Sequence, residues 1–346
     1  MKTHGANTMT LGEIIVYGAG SIGSTIGGWL TPKHRNVYLI ARGEHAKIIK
    51  ERQLTLLEAS KTPETIAVKL INNLTIAPNA KIVVLTVKNY DLEEAAKDIS
   101  SKLSNEATIV ALQNGVENQH ILPRYFSKVI YGVIGYSAMI SKPGIVEYQS
   151  RGPIYLGTID NKPIHSIEEI CQTFNMGFEA EITPRLQDTV HCKIVLNLTN
   201  ALFTLVGLNY SEITSYNRLA TIASKLINEG INVIQAAGYK EYRFKNYPSW
   251  RTLRLGLKLP SFIRTSVLKR SVKHAILNSM GQDVLMRRKK ETELESLNKY
   301  ILDIADSAGI EAPCNRALYN LCKDQFDRKD FKPLTVKEVW NQLIGR

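Results

Sequence analysis

Glu13-Ile-Ile-Val-Tyr-Gly-Ala-Gly-Ser-Ile-Gly-Ser-Thr-Ile-Gly-Gly-Trp-Leu30 is the stretch that decides the fold. Its mostly apolar opening, Glu13 to Tyr17, reads as a short strand, and the glycines that follow stand as Gly18-x-Gly20-x-x-Gly23 before a helix to about Leu30. Thr31-Pro32 stops that helix, because proline donates no ladder bond and restricts the residue before it. Strand, glycine turn and helix in this order open a βαβ unit. Further strands are expected at 36–40, 81–87, 108–112 and 128–135, with a helix at about 91–103. A hairpin is read from 144–148 and 153–157, then a helix at 166–174 and a strand at 178–182. After Thr183-Pro-Arg185 helical periodicity takes over, at 190–207, 219–237, 290–308 and 317–326. The expected organisation is a leader over 1–10, an α/β Rossmann-type domain over 11–185, and an all-α domain over 186–346.

The glycine spacing has a mechanism. Gly18 permits the tight turn, Gly20 lets backbone amides approach a pyrophosphate, and Gly23 lets helix pack closely on strand. With Ser21 and Ile22 they form the expected dinucleotide-binding loop at a helix N-terminus, where the dipole favours an anion. The end of the second strand reads the ribose. NAD proteins usually place a carboxylate there, but this chain has Ala41-Arg42, and an arginine pairs bidentately with a 2′-phosphate. NADP(H) is therefore expected; the competing reading leaves Arg42 in solvent and gives the ribose to Glu44.

The chain has 346 residues, 44% of them hydrophobic, enough for two cores. It holds no run of the roughly 18–20 apolar residues needed to span a bilayer and no signal-like start, so a cytoplasmic location is expected. Four scattered cysteines without a C-x-x-C pair read as reduced structural thiols, and the seven histidines show no ligand-like pairing, so no metal is expected. The net charge of +12 is concentrated partly in 240–273. That stretch reads either as a solvated helical insertion or as a docking face for an acidic partner or lipid. No nucleic-acid partner is expected, since aromatic and basic residues do not interleave as in an RNA module. Whether the chain pairs as a homodimer is left open.

The stretch His191 to Val206 is too apolar for a surface helix, yet Lys193, Asn197 and Asn200 stand at i, i+4 and i+7 on one face. Polar groups in such a setting require partners. The stripe is either a satisfied structural network or one side of a cleft, where an ammonium stabilises and protonates a reducing ketone oxygen.

At this point several separated motifs align. They are the glycine loop, Leu39-Ile-Ala-Arg42, Thr86-Val-Lys88, Gln113-Asn-Gly115, Lys193-x-x-x-Asn197, Ser279-Met-x-Gln-Asp283 and Glu291 within 287–293. In this order, over nearly the whole chain, they resemble the ketopantoate reductase (2-dehydropantoate 2-reductase) family. The resemblance implies NADPH-dependent reduction of 2-dehydropantoate, a small 2-keto acid, to pantoate in pantothenate and coenzyme A biosynthesis. It implies Lys193 as general acid, with Glu291 near it, the substrate and the cofactor. Asn197, Asn200 and Ser279 would bind substrate, and Lys88 and Asn114 would line the cleft by nicotinamide and ribose. Taken singly, Lys88 is an ordinary strand-end lysine, Gln113-Asn-Gly115 a turn, and Ser279 a helix cap with Gln282 completing a capping box. Two positions depart from the family: His191 stands where many members have Trp, and Ala201 where many have a second helix asparagine, with Asn200 its expected substitute. They keep open a paralogous reductase of another 2-keto acid, and the basic stretch 240–273 keeps open a non-catalytic NADP-binding sensor that contacts an acidic partner, membrane or nucleic acid.

Overall fold

The computed structural model describes residues 12–58, 61–104, 106–161, 166–245, 247–273 and 276–345; the leader expected over 1–10 lies outside them. Twelve strands among these residues form two sheets: β1 (Ile14–Tyr17), β2 (Val37–Ile40), β3 (Leu54–Glu58), β4 (Glu64–Ile66), β5 (Lys69–Ile71), β6 (Ile82–Leu85), β7 (Thr108–Ala111), β8 (Val129–Ile134), β9 (Ala138–Lys142), β10 (Ile145–Tyr148), β11 (Ile154–Gly157) and β12 (Ala180–Ile182). The main sheet runs β12-β11-β8-β7-β6-β1-β2-β5, parallel except where β11 meets β8. The smaller sheet runs β4-β3-β10-β9. Helices α1 (Ser21–Leu30), α2 (Gly43–Arg52), α3 (Leu92–Lys102), α4 (Glu117–Ile121) and α5 (Ser166–Asn175) belong to this half.

β1 lies between β2 and β6, where the winding reverses, and this is where such sheets bind ligands at their strand carboxyl ends. Alternation within the buried strands divides the core. Ile14, Val16, Val84 and Val110 pack with α1 and the small sheet, while Ile15, Val83, Ile109 and Tyr131 face the other way. Helix α1 is held between the two sheets by its small residues. A Cβ on Gly27 would lie 2.7 Å from the Leu39 side chain of the main sheet, and one on Gly28 2.8 Å from Leu56 of the small sheet.

The second half is helical: α6 (Leu186–Asn197), α7 (Thr199–Leu205), α8 (Tyr216–Ala236), α9 (Trp250–Leu255), α10 (Ser261–Val272), α11 (Ser279–Gly281), α12 (Tyr300–Ala308), α13 (Pro313–Phe326) and α14 (Val336–Leu343). The 21-residue α8 is its central post. The apolar cluster on the outer face of the main sheet continues through Leu186, Val190 and Ile194 of α6 into this half, so the two halves share one core. The four cysteines are unpaired and buried. Burial pushes the Cys192 and Cys314 thiols up to about 12 and raises Cys171 and Cys322.

Three expectations are corrected. The segments 144–148 and 153–157 are not a hairpin: β10 pairs with β9 and β3, and β11 with β8 and β12. All four residues of β11 are buried, so it belongs inside the main sheet, and Gly152 (φ 93°) turns the chain from one sheet to the other. The helix read at 190–207 starts earlier and is divided at Leu198, where Gly230 of α8 crosses so closely that a Cβ would lie 2.5 Å from the Leu198 side chain. The helix read from 290 starts only after Glu293, with a wide turn at Glu295–Lys299 leading into α12. The strands β3, β4, β5 and β9 had no sequence reading at all.

Candidate active site

A cleft of about 620 Å³ opens at the carboxyl ends of β1, β2, β6 and β7 and is roofed by α6, α7 and α11. One end is the glycine loop. Gly18 takes φ 102°, where a side chain is strained, and its carbonyl accepts from Thr86 Oγ1 at 2.6 Å, which ties the turn to the end of β6. Gly23 is not in the cleft but beneath it: a Cβ there would lie 2.6 Å from Thr86 Oγ1 and closer still to the Gly18 carbonyl oxygen. Gly20 is the opposite case, since a Cβ would find only the Gly18 carbonyl within 4.0 Å, and the space belongs to the cleft. The first turn of α1 carries no acidic residue and no side-chain cap, which leaves its amides for an anion. This cradle fits a dinucleotide pyrophosphate.

Arg42 and His45 line the same end, whereas Glu44 is exposed and outside the lining. His45 Nδ1 accepts from the Gly144 amide at 2.9 Å, so its Nε2 carries the proton toward Ser24 Oγ at 3.1 Å. Burial, helped by the nearby Arg287 charge, pulls this imidazole down to about 4, and it braces the loop as a neutral group.

At the other end a carboxylate gathers three side chains from separate parts of the chain. Glu293, 4% exposed, accepts at Oε2 from Ser279 Oγ (2.5 Å) and Lys88 Nζ (3.0 Å), and at Oε1 from Asn114 Nδ2 (3.1 Å). Burial pushes its pKa up, but the Lys88 charge and the three hydrogen bonds outweigh that, so it stays below the ordinary glutamate value. Burial likewise lowers Lys88, and the Glu293 and Asp283 charges more than reverse it, so the pair is ionised. Asp283, fully buried, stands 3.5 Å from Lys88 Nζ and receives Arg287 Nη1 at 2.8 Å. Gln113 donates to the Leu85 and Val87 carbonyls at 2.9 and 3.1 Å, and Gly115 turns at φ 86°, which presents Asn114 to the cluster.

The stripe of the second half faces this cluster. Lys193, Asn197 and Asn200 all line the cleft, across the division at Leu198. Asn197 Nδ2 donates to Asn114 Oδ1 at 3.5 Å, which links the stripe to Glu293. Lys193 Nζ lies 5.4 Å from the centre of the Tyr247 ring and makes no ion pair among the described residues. An unengaged ammonium beside two amides, facing a nucleotide cradle, suits protonation of an oxygen that gains charge.

Of the residues singled out in the sequence, Gly18, Gly20, Ser21, Ile22, Arg42, Lys88, Asn114, Lys193, Asn197, Asn200 and Ser279 line this cleft. Glu291 does not: it is exposed, and the carboxylate in the cluster is Glu293. The segment 287–292 is irregular, so the resemblance that picked Glu291 had no helical register to tell it from Glu293, two residues on. Ser279 is no cap either; Asn278 caps α11 by accepting from the Gly281 amide at 2.9 Å. His191 points away from the cleft, stacked 3.5 Å from Tyr239 and bonded to the Gln187 carbonyl and the Tyr300 hydroxyl at 2.7 and 2.8 Å. Ala201 is fully buried. Sequence reading missed Tyr247, Arg287 and the role of Asp283, although Asp283 closes a motif already noticed.

The family described as ketopantoate reductase PanE/ApbA matches residues 14–161, and its C-terminal counterpart matches 185–325. The 2-dehydropantoate 2-reductase of Pyrococcus horikoshii is 28% identical over 321 residues, covering 90% of this chain and 96% of the relative. Among solved structures, the PanE/ApbA family ketopantoate reductase of Ralstonia eutropha JMP134 superposes with a TM-score of 0.71 at 24% identity, over 92% of this chain and 99% of that one. A D-mandelate dehydrogenase in complex with NADH and anilino(oxo)acetate gives 0.70 at 19% identity, over 92% and 99%.

Proposed function

The chain belongs to the ketopantoate reductase family, and from that premise we propose that it uses NADPH to reduce 2-dehydropantoate to pantoate, a step toward pantothenate and coenzyme A. The observation that carries the reading is the unpaired Lys193 ammonium, aligned with Asn197 and Asn200, facing the glycine cradle and the Glu293 cluster in one cleft. The matched 2-dehydropantoate 2-reductases support the substrate. The Arg42 position, with Glu44 outside the lining, supports the 2′-phosphate and hence NADP over NAD.

Gly18, Gly20, Ser21, Ile22 and Arg42 would hold the dinucleotide, with Gly23 keeping the loop close to the sheet. Bound there, the reduced nicotinamide supplies a hydride to the ketone carbon. Lys193 stabilises the charge on the ketone oxygen and gives it a proton, completing the hydroxyl. Asn197 and Asn200 orient the substrate from the same face, Lys88 addresses its anionic end, and Ser279, its one proton given to Glu293, lines that end of the cleft. Glu293, in the role the resemblance assigned to Glu291, fixes Ser279, Lys88 and Asn114 relative to one another. This divides the chain into a nucleotide domain over 11–185 and a catalytic domain over 186–346, in the cytoplasm, with a small 2-keto acid as partner.

The test is NADPH oxidation with and without 2-dehydropantoate, set beside a panel of other 2-keto acids. Lys193→Ala is expected to abolish turnover and retain NADPH binding; unchanged turnover removes the proposed acid. Strong activity on another keto acid with little on 2-dehydropantoate selects the paralogous reductase. The two sequence departures that motivated that alternative, His191 and Ala201, are both outside the lining of the cleft.

A further inference from the structure

The segment 242–282 holds nine lysines and arginines and not one aspartate or glutamate. Much of it is a helical hairpin, α9 and α10 joined through Gly256–Lys258 and Pro260, that lies against α8 outside the cleft. Its inner side is accounted for: Trp250 and Val272 are buried, and Leu253 and Leu268 pack on the core. Some of its bases are engaged too, Arg254 with Asn232 and Gln235, and Lys269 over the Tyr216 ring.

The outer side is not accounted for. Phe262 is 72% exposed and Val267 59%, and Leu255 and Leu259 also stand in solvent around the bend. Arg251, Lys258, Arg270 and Lys273 are exposed and have no ion-pair partner among the described residues. On α10, Phe262, Ser266, Arg270 and Lys273 fall at i, i+4, i+8 and i+11, so the apolar residue and the bases share one outward face. Lone exposed apolar side chains need no explanation, but four around one bend, flanked only by positive charge, do.

We propose that the α9–α10 hairpin docks the protein on an anionic lipid surface, with Leu255, Leu259, Phe262 and Val267 entering the acyl boundary and Arg251, Lys258, Arg270 and Lys273 facing the headgroups. Apolar side chains paired with bases are the composition that lies in a charged membrane interface. No helix among the described residues is long and apolar enough to cross a membrane, so the contact is peripheral. A second copy of the chain is disfavoured as occupant, because a symmetric contact would set these unpaired bases against themselves. A nucleic-acid backbone would match the charge but offer nothing to the four apolar side chains.

The test is co-sedimentation of the full chain with vesicles of phosphatidylcholine alone and of phosphatidylcholine and phosphatidylglycerol in equal parts. Binding only to the anionic vesicles, weakened by salt, is expected. Leu259→Ser with Phe262→Ser should cut partitioning tenfold or more, and Lys258→Ser and Arg270→Ser about fivefold each, the equivalent of roughly 1 kcal/mol per base. Turnover in solution should be unchanged in all of them, which separates this surface from the catalytic reading. The proposal fails if the anionic vesicles bind no protein, if neutral vesicles bind it equally, or if the variants bind like the parent. It also fails if the parent binds DNA in place of vesicles, or is a dimer that Leu259→Ser with Phe262→Ser dissociates.

Discussion

Replacing Glu293 by glutamine tests whether the charge of this buried carboxylate, beyond its shape, organises the cleft. The side chain keeps its size and loses the negative charge that Ser279, Lys88 and Asn114 all address. With the amide oxygen at the Oε2 position, Ser279 and Lys88 keep an acceptor, but the new NH2 meets the Asn114 Nδ2 as donor against donor. Asn114 relieves that by turning its amide over, which withdraws the oxygen from Asn197. The net change is therefore the fall of charge-assisted hydrogen bonds to neutral ones, worth about 1 kcal/mol each, or about 2–3 kcal/mol over the cluster. Lys88 keeps only Asp283, 3.5 Å away, as a charge partner. If the cluster positions substrate for Lys193, kcat/KM for NADPH-dependent keto-acid reduction should fall roughly 30- to 150-fold. Glu291→Gln, at an exposed residue outside the cleft, should leave the rate within about twofold. Equal losses in the two variants, or an unaltered rate in Glu293→Gln, would refute the argument.

Three further outcomes are expected. Gly20→Ala should fold with an unchanged Tm, since its Cβ meets only open cleft, yet weaken NADPH binding about tenfold or more; Gly23→Ala should instead lose about 1–3 kcal/mol of stability against Thr86 and the Gly18 carbonyl. Urea unfolding of both, with fluorescence titration of the nucleotide, separates the effects, and the reverse pattern would rule out the division of labour. Arg42→Ala should raise KM for NADPH about ten- to 100-fold and hardly change that for NADH, and an equal effect on both coenzymes would dismiss the 2′-phosphate contact. His191 is held neutral, its folded pKa lowered by burial from 6.5 to about 4, so its contribution is present above pH 6.5 and lost as pH falls toward 4. That shift is worth about 3 kcal/mol, and His191→Gln should flatten the pH dependence of unfolding free energy across this window; identical slopes would exclude it.

The lining of the cleft was legible where chemistry demands particular residue types. The glycine loop, Arg42, Thr86-Val-Lys88 and the Lys193 stripe are fixed by what must approach an anion or a developing charge, and each falls in one cleft. Glu293 escaped because Glu291, Glu293 and Glu295 alternate through a segment with no regular period, where spacing carries no register. The small sheet escaped for a related reason. Its strands β3, β4, β9 and β10 come from two distant parts of the chain, and β4 and β9 are largely exposed or half-buried, so local alternation is faint. The turn that sends β11 into the main sheet depends on Gly152 and on an antiparallel partner, β8, whose paired residues lie 20 to 26 positions back, neither of which a hairpin pattern distinguishes. The division at Leu198 leaves both sides in helical backbone angles, and the close crossing of Gly230 there is a contact from across the bundle that local periodicity does not carry.

The sealed thiols turn the molecule into its own folding clock. A reagent that alkylates thiolates finds none to attack while the native packing holds, so every modified molecule is one that has opened. Cys171 reports from where α5 packs on the β12 edge of the main sheet, and Cys192, Cys314 and Cys322 from the core that joins the sheet to the helices. The order in which the sulfurs take up label under mild denaturant would show which interior loosens first, with no engineered probe.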